Sequence, residues 1–129
     1  MTRFFNPDTI CPPFNPYSHG VQLEPGSTLL YMAGQVGADK DGNLPKDFEG
    51  QIRNIYGNIA EILKGADMDL SNLVKVTTFL TDRTNLAPMR SLRSEILGDH
   101  HPAHTLLIVV GLADPDFLMA VEAIGAAQV

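Results

Sequence analysis

Residues 47–64 read DFEGQIRNIYGNIAEILK, and this stretch decides how the rest of the chain is interpreted. Apolar side chains recur at offsets of 3, 4, 7, 10 and 11 from Ile52, which is the spacing of one stripe along an α-helix. Gly65 is placed to end this helix. Gly50 and Gly57 each cost about 1 kcal/mol relative to alanine, which suggests that a sheet approaches the helix closely. The sequence therefore predicts an amphipathic helix that packs on a sheet.

The segments on either side of this helix have the composition of β-strands. Residues 73–81 (LVKVTTFLT) are rich in β-branched side chains, and residues 25–27 (PGS) are a connection of the kind that closes a hairpin. The four prolines among the first twenty residues predict an extended lead-in arm. The predicted strands cover residues 21–24, 28–36, 73–81, 105–112 and 117–124, and a second helix covers residues 88–97.

The predicted elements follow the order β-β-α-β-α-β-β. This order is typical of an α+β fold in which two helices pack on one face of a mixed sheet. Residues 106–110 are apolar at every position, so both faces of that strand require cover, although the helices can cover only one. The second face most simply meets another subunit, and ordinary core is the alternative. We therefore expect an oligomer.

Length and composition fit a single domain over residues 1–129, with 44% hydrophobic and 19% charged residues. The net charge of −6 would repel a phosphate backbone, so no nucleic-acid partner is expected. Neither a signal peptide nor a membrane span is visible, and Cys11 is the only cysteine. We therefore expect no membrane partner and a reducing, cytoplasmic location.

Two polar residues near the last strands are candidate catalytic groups. His104 opens the most apolar strand, and Glu122 is the single carboxylate in the segment LMAVEAIG. Apolar surroundings raise the pKa of a carboxyl group, which is how general acids and bases arise. The alternative for Glu122 is a solvated position on an exposed strand face. His100 and His101 are interpreted as loop residues, because their spacing with His104 does not suit a metal; we expect no metal and no cofactor.

Small and aromatic residues mark a candidate ligand site. Tyr17, within residues 15–20 (NPYSHG), offers a ligand an aromatic wall and a hydroxyl, and packing at the end of the arm is the alternative. Gly34, after Ala33, ends a strand at a point where the backbone can approach a ligand.

At these residues the sequence resembles the RidA/YjgF family, whose members are often labelled reactive intermediate deaminases. The resemblance implies a chorismate-mutase-like α+β domain and a homotrimer with three sites in the clefts between subunits. The implied trimer agrees with the sheet face that lacks cover. The matching segments cover nearly the whole chain in the same order: residues 15–20, 33–36 (AGQV), 51–63, 74–82 (VKVTTFLTD), Pro102-Ala103 and 122–124 (EAI).

In deaminating members, an Arg after Pro-Ala pairs with the substrate carboxylate, and a Glu near the chain end positions the water that hydrolyses an enamine or imine such as 2-aminoacrylate. This sequence has His104 and Ala120 at those positions, and Ala33 where the family has Ser. Side chains alternate along a strand, so Glu122 shares a face with position 120 and reaches the cleft about 7 Å further along. Arg90, on the second helix, either replaces the missing Arg or is an exposed helix residue.

Two functions stay open. The first is a divergent small-molecule hydrolase or deaminase that acts on an imine, enamine or related metabolite. The second is a non-catalytic trimer of the same fold that binds a small ligand or a protein partner. A third label, endoribonuclease, has little support in an acidic chain. In the enzyme, we expect His104 to titrate near neutral pH and to bind an anion only when protonated. The predicted site consists of His104 and Glu122 as catalytic groups and of Tyr17, Ala33, Gly34 and Arg90 as substrate-binding residues.

Overall fold

In the computed structural model, which describes residues 2–128, six strands and two α-helices follow the order β-β-β-α-β-α-β-β. The chain thus has one more strand, at its N-terminus, than the sequence predicts. The elements are β1 (Arg3–Phe5), β2 (Gly20–Gln22), β3 (Thr28–Gln35), α1 (Phe48–Gly65), β4 (Leu73–Leu80), α2 (Leu86–Leu97), β5 (Ala103–Ile108) and β6 (Met119–Ala127), with 3₁₀ turns at Leu70–Asn72 and Arg83–Asn85.

The predicted first helix is confirmed as α1. Asp47 caps its first turn, because the carboxylate accepts a hydrogen bond from the backbone N–H of Gly50 at 3.1 Å. The prediction that a sheet closely approaches Gly50 and Gly57 is wrong. Gly57 is exposed, with nothing within 4 Å of where a Cβ would stand, and Gly50 lies against Pro45 of the preceding loop. The buried side chains of α1 are Gln51, Ile52, Ile55, Tyr56, Ile59 and Leu63.

The main sheet has four strands in the order β3-β6-β4-β5. Strand β6 is antiparallel to both of its neighbours, whereas β4 and β5 are parallel, so the sheet is mixed. Ile52 and Ile59 of α1 share one hydrophobic core with Val76 and Val121 of the sheet, and α2 contributes Met89 to the same core. The predicted α+β class, with two helices on one face of a mixed sheet, is therefore confirmed.

The predicted hairpin across residues 25–27 is wrong. Strand β2 pairs with β1 in a separate two-stranded ribbon, with Arg3 opposite Gln22. Strand β3 pairs instead with the last strand, with Thr28 opposite Ala127. The N-terminal arm supplies a competing partner for β2, which a local turn signal cannot reveal.

Strands β5 and β6 are not neighbours either, because β4 lies between them. Thr77 of β4 pairs with Thr105 on one side and with Glu122 on the other. Helix α2 forms the crossover that parallel pairing of β4 and β5 requires. The final strand begins and ends later than predicted, since its pairing with β3 continues to Ala127.

The face of the main sheet that the helices leave open carries exposed apolar side chains. The exposed fractions are 72% for Tyr31, 43% for Leu29 and 41% for Leu107. Strand β5 ends at Ile108 on the sheet edge, and within the apolar run over residues 106–110 Leu106 packs against the core, whereas Leu107, Ile108 and Val110 are exposed in the single chain. Apolar surface of this kind is typical of an interaction face. No helix within residues 2–128 is long and apolar enough to cross a membrane.

Candidate functional site

A cleft of about 170 Å³ lies where the N-terminal arm, α2 and β5 meet. It brings together three of the residues that the sequence predicts for the site, and adds an arginine that the sequence analysis missed. The lining residues are Asn15, Tyr17, Met89, Arg90, Arg93, His104 and Leu106.

The arm reaches the cleft because Ser18 anchors it beside β5. The Ser18 hydroxyl donates a hydrogen bond to the carbonyl of His101 at 2.6 Å, and its backbone N–H donates to the carbonyl of Pro102 at 3.3 Å. Ser18 also forms an isolated parallel bridge with Ala103. These contacts hold the arm against the cleft, which Asn15 and Tyr17 both line.

Arg93 lies at the base of the cleft and is only 5% exposed. Its Nη2 donates a hydrogen bond to Oδ1 of Asn15 at 2.9 Å, and its Nη1 donates to Nδ1 of His104. Both acceptors are neutral. Within residues 2–128 the recorded side-chain ion pairs involve a different arginine, Arg53, so none balances the Arg93 charge. A buried cation without a counter-charge is costly, and an anionic ligand would relieve that cost.

His104 is held in its neutral form. Burial is the main cause of a pKa that is lowered from 6.5 to about 3, and the positive charges of Arg93, Lys75 and Arg90 contribute to the same shift. A guanidinium has no acceptor, so Nδ1 of His104 accepts from Arg93 and Nε2–H donates to Oγ1 of Thr78 at 2.8 Å. The expectation that His104 titrates near neutral pH is therefore wrong in the single chain. Both ring nitrogens already have partners.

Glu122 lies on the other face of the sheet. It shares that face with its cross-strand partner Thr77, whereas His104 pairs with Val76, one residue away and pointing to the opposite side. Glu122 is exposed, so the desolvation expected for this carboxylate is absent in the single chain. The two predicted catalytic groups do not meet within one chain. Glu122 lines a second, open cleft of about 320 Å³ together with Tyr31, Met32, Lys75, Thr77, Ala123 and Ile124.

Ala33 and Gly34 also lie away from the Arg93 cleft. Both are exposed on β3, at an irregularity in its pairing with β6 between Met32 and Gln35. This places them opposite the Glu122 segment of β6. The structure therefore separates the predicted site into two groups: Tyr17, Arg90 and His104 in one cleft, and Ala33, Gly34 and Glu122 on the other side of the sheet.

The missed residue, Arg93, had a detectable signal. It stands four residues after Met89 and three before Ile96, so it interrupts the apolar stripe of α2 with a charge. Behind it, the Tyr56 hydroxyl is buried and has no hydrogen-bond partner within the described residues. Burial raises the pKa of Tyr56 to about 12, although the Arg93 charge opposes the shift, so this phenol stays protonated. Over the same residues, no three His, Cys, Asp or Glu side chains come together to hold a metal ion.

A mixed sheet under two helices, with this cleft beside its edge strand, defines a small α+β protein with an arginine-lined cleft. A family model described as endoribonuclease L-PSP matches residues 9–127. A RutC family protein of Pyrococcus horikoshii is 33% identical over 114 residues, or 87% of each chain. The crystal structure of the Rid family protein YyfB from Yersinia pestis matches with a TM-score of 0.85 and 28% identity, over 98% of each chain.

The chain belongs to this family, which is the RidA/YjgF family, and the predicted resemblance is confirmed. The name of one of these relatives states a deaminase activity. TdcF of Escherichia coli, named as a candidate reactive intermediate deaminase, is 25% identical over 112 residues, or 84% of each chain. The family thus includes deaminase-like relatives.

Proposed function

We propose that the chain is a divergent RidA-like hydrolase that releases ammonia from a small imine or enamine carrying a carboxylate. The observation that carries this proposal is Arg93, a buried cation with neutral partners, at the base of a cleft that Tyr17 also lines. Arg93 replaces, from the helix side, the carboxylate-binding Arg that the family has at position 104. A bidentate guanidinium suits a planar carboxylate.

The reaction needs water and no electron transfer. Water adds to the carbon of the C=N bond and the nitrogen takes up a proton. The resulting carbinolamine then expels ammonia as its hydroxyl becomes a carbonyl. An enamine first takes up a proton at carbon to become the imine. A base that accepts a proton from water and a donor to nitrogen are required, and Glu122 is the proposed base.

Glu122 can serve the cleft only across a subunit boundary, since it lies on the sheet face opposite His104. We propose that the open sheet face, with Tyr31 and Leu107, forms the contact of a homotrimer. Glu122, Ala33 and Gly34 of one subunit then complete a cleft whose His104 and Arg93 come from its neighbour. His104 acts there by orienting Arg93, because its own nitrogens are both occupied.

A second candidate is a non-catalytic trimer that binds a small anionic ligand. The observation that favours it is the absence of Asp and Glu from the lining of the Arg93 cleft within residues 2–128. RNA cleavage, suggested by the family description, is not proposed, because a net charge of −6 opposes contact with phosphates. Exposed, unpaired Cys11 supports a reducing compartment such as the cytoplasm for either candidate.

The test is ammonia release from freshly generated 2-aminoacrylate and from a panel of imines of other amino acids. We expect release above the spontaneous rate, and a loss of at least tenfold in Arg93→Gln and Glu122→Gln. Arg83→Gln, an exposed arginine outside the cleft, is the matched control and should release ammonia at the wild-type rate. Release equal to the blank across the whole panel would leave the binding trimer as the function.

The shared site has its own test. Arg93→Gln and Glu122→Gln chains, coexpressed in equal amounts, should regain about a quarter of the wild-type activity, since random assembly joins one intact copy of each residue in that fraction of sites. No recovery would contradict a cleft built from two subunits.

A further inference from the structure

Resting on the proposed function, we infer that the substrate is a dianion: a small imino or enamino dicarboxylate, with one carboxylate on Arg93 and the second on Arg90. The observation is that two arginines line one cleft without an acidic side chain among its lining residues. The remaining lining residues within the described chain are the neutral Asn15, Tyr17, Met89, His104 and Leu106.

The two arginines occupy different depths of the same cleft. They are three residues apart on α2, so they project from the same side of the helix. Arg93 is buried at the base, and Arg90 is exposed at the mouth. A ligand that enters the cleft therefore meets Arg90 first and Arg93 last.

The two charges oppose each other in the empty cleft. The Arg90 charge, added to burial, lowers the pKa of Arg93, and it also lowers the pKa of His104. In the proposed function, Glu122 of the neighbouring subunit is engaged with the attacking water. Within one chain, a single carboxylate on Arg93 neutralises one of the two cations and leaves the other unmatched. A second carboxylate at the mouth matches it, and the chain holds this pair of cations although its net charge is −6.

The dimensions favour a short dicarboxylate. Side chains three residues apart on a helix have Cβ atoms about 5–6 Å apart, which suits carboxylates joined by a chain of about four or five carbons in total. The cleft volume of about 170 Å³ suits a metabolite of that size. A planar guanidinium at each end also favours carboxylates, which it binds with two parallel hydrogen bonds.

The test compares the binding of succinate and butanoate to the full chain by titration calorimetry. The two probes have the same number of carbons and differ in the second carboxylate, and neither can be hydrolysed. We expect succinate to bind at least tenfold more tightly than butanoate. Arg90→Gln should abolish that preference by weakening succinate binding at least tenfold more than butanoate binding, whereas Arg83→Gln should preserve it. A thermal melt checks that Arg90→Gln is folded. We expect the variant to fold, because Arg90 is exposed.

Equal affinity for the two probes, or a preference that survives Arg90→Gln, would overturn the dicarboxylate inference. Inorganic phosphate that binds more tightly than succinate would also overturn it. In those cases, ammonia release from monocarboxylate imines would still support the proposed function. Failure of wild type to bind either carboxylate, together with no ammonia release, would overturn both.

Discussion

Nη1 of Arg93 donates a hydrogen bond to Nδ1 of His104, so a helix cation and a strand imidazole form one unit. The unit continues at both ends, from Nη2 of Arg93 to Asn15 and from Nε2 of His104 to Thr78. It therefore joins the N-terminal arm, α2, β5 and β4. His104 of β5 thus orients an arginine that comes from α2.

The neutral state of His104 predicts a pH-dependent stability. Its pKa is about 3 in the folded chain against an ordinary 6.5, so the unfolded chain binds more protons between these values. The stability that comes from the neutral ring is fully present above pH 6.5 and decreases as the pH falls toward 3. Wild type should lose roughly 2 kcal/mol more than His104→Asn between pH 7 and pH 4.5, measured by urea unfolding. His101→Asn, at a histidine outside the Arg93 unit, should follow the wild-type curve.

Removal of the Arg93 charge should raise the pKa of His104. Burial is the larger cause of the low value and Arg93 is the next, so in Arg93→Gln we expect a pKa above 3 but still below 6.5. The measurement is an NMR titration of the His104 ring. Arg83→Gln, which removes an exposed arginine outside the cleft, should leave the ring titration unchanged. An unchanged His104 pKa in Arg93→Gln would contradict the contact between the two side chains.

Gln51 should be critical for stability, although it takes no part in the cleft. It is 1% exposed, its Nε2 donates to the carbonyls of Pro45 (2.8 Å) and Asp116 (3.0 Å), and its Oε1 accepts from the N–H of Leu118 (2.9 Å). Gln51→Leu removes three hydrogen bonds to part-buried backbone groups and should cost about 3 kcal/mol of unfolding free energy. Gln22→Leu, at an exposed position of β2, should change stability by less than about 0.5 kcal/mol.

Replacement by alanine should change the stability of the chain in opposite directions at Gly57 and Gly37. Gly57 is exposed inside α1 with open space around a Cβ, so Gly57→Ala should stabilise the chain by about 0.5–1 kcal/mol. A Cβ on Gly37 would stand 2.6 Å from the Cα of Gln51, so Gly37→Ala should lower the melting temperature. Thermal unfolding of both variants is the measurement. A stabilised Gly37→Ala chain would show that α1 can move away from this loop.

Much of the fold could be predicted because its signals are local. The apolar stripe from Ile52 defined α1, and β-branched composition defined β4. Tyr17 and His104, which the family motifs single out, both line one cleft. The sequence analysis assigned no role to Arg93, although its position between Met89 and Ile96 in the apolar stripe of α2 indicates a buried charge.

The amino-acid sequence alone determined both helices, the strands of the main sheet, the α+β class and the family, since helix periodicity and strand composition depend on neighbouring residues. Tertiary structure alone decided which strands pair, and it placed β4 between β5 and β6. That register put His104 and Glu122 on opposite faces of the sheet. The tertiary structure also places Arg93 against His104. Burial beside this cation lowers the pKa of His104, so the ring is neutral at neutral pH. The sheet face on which a side chain lies, and the desolvation of that side chain, depend on contacts between distant segments, which local patterns do not encode.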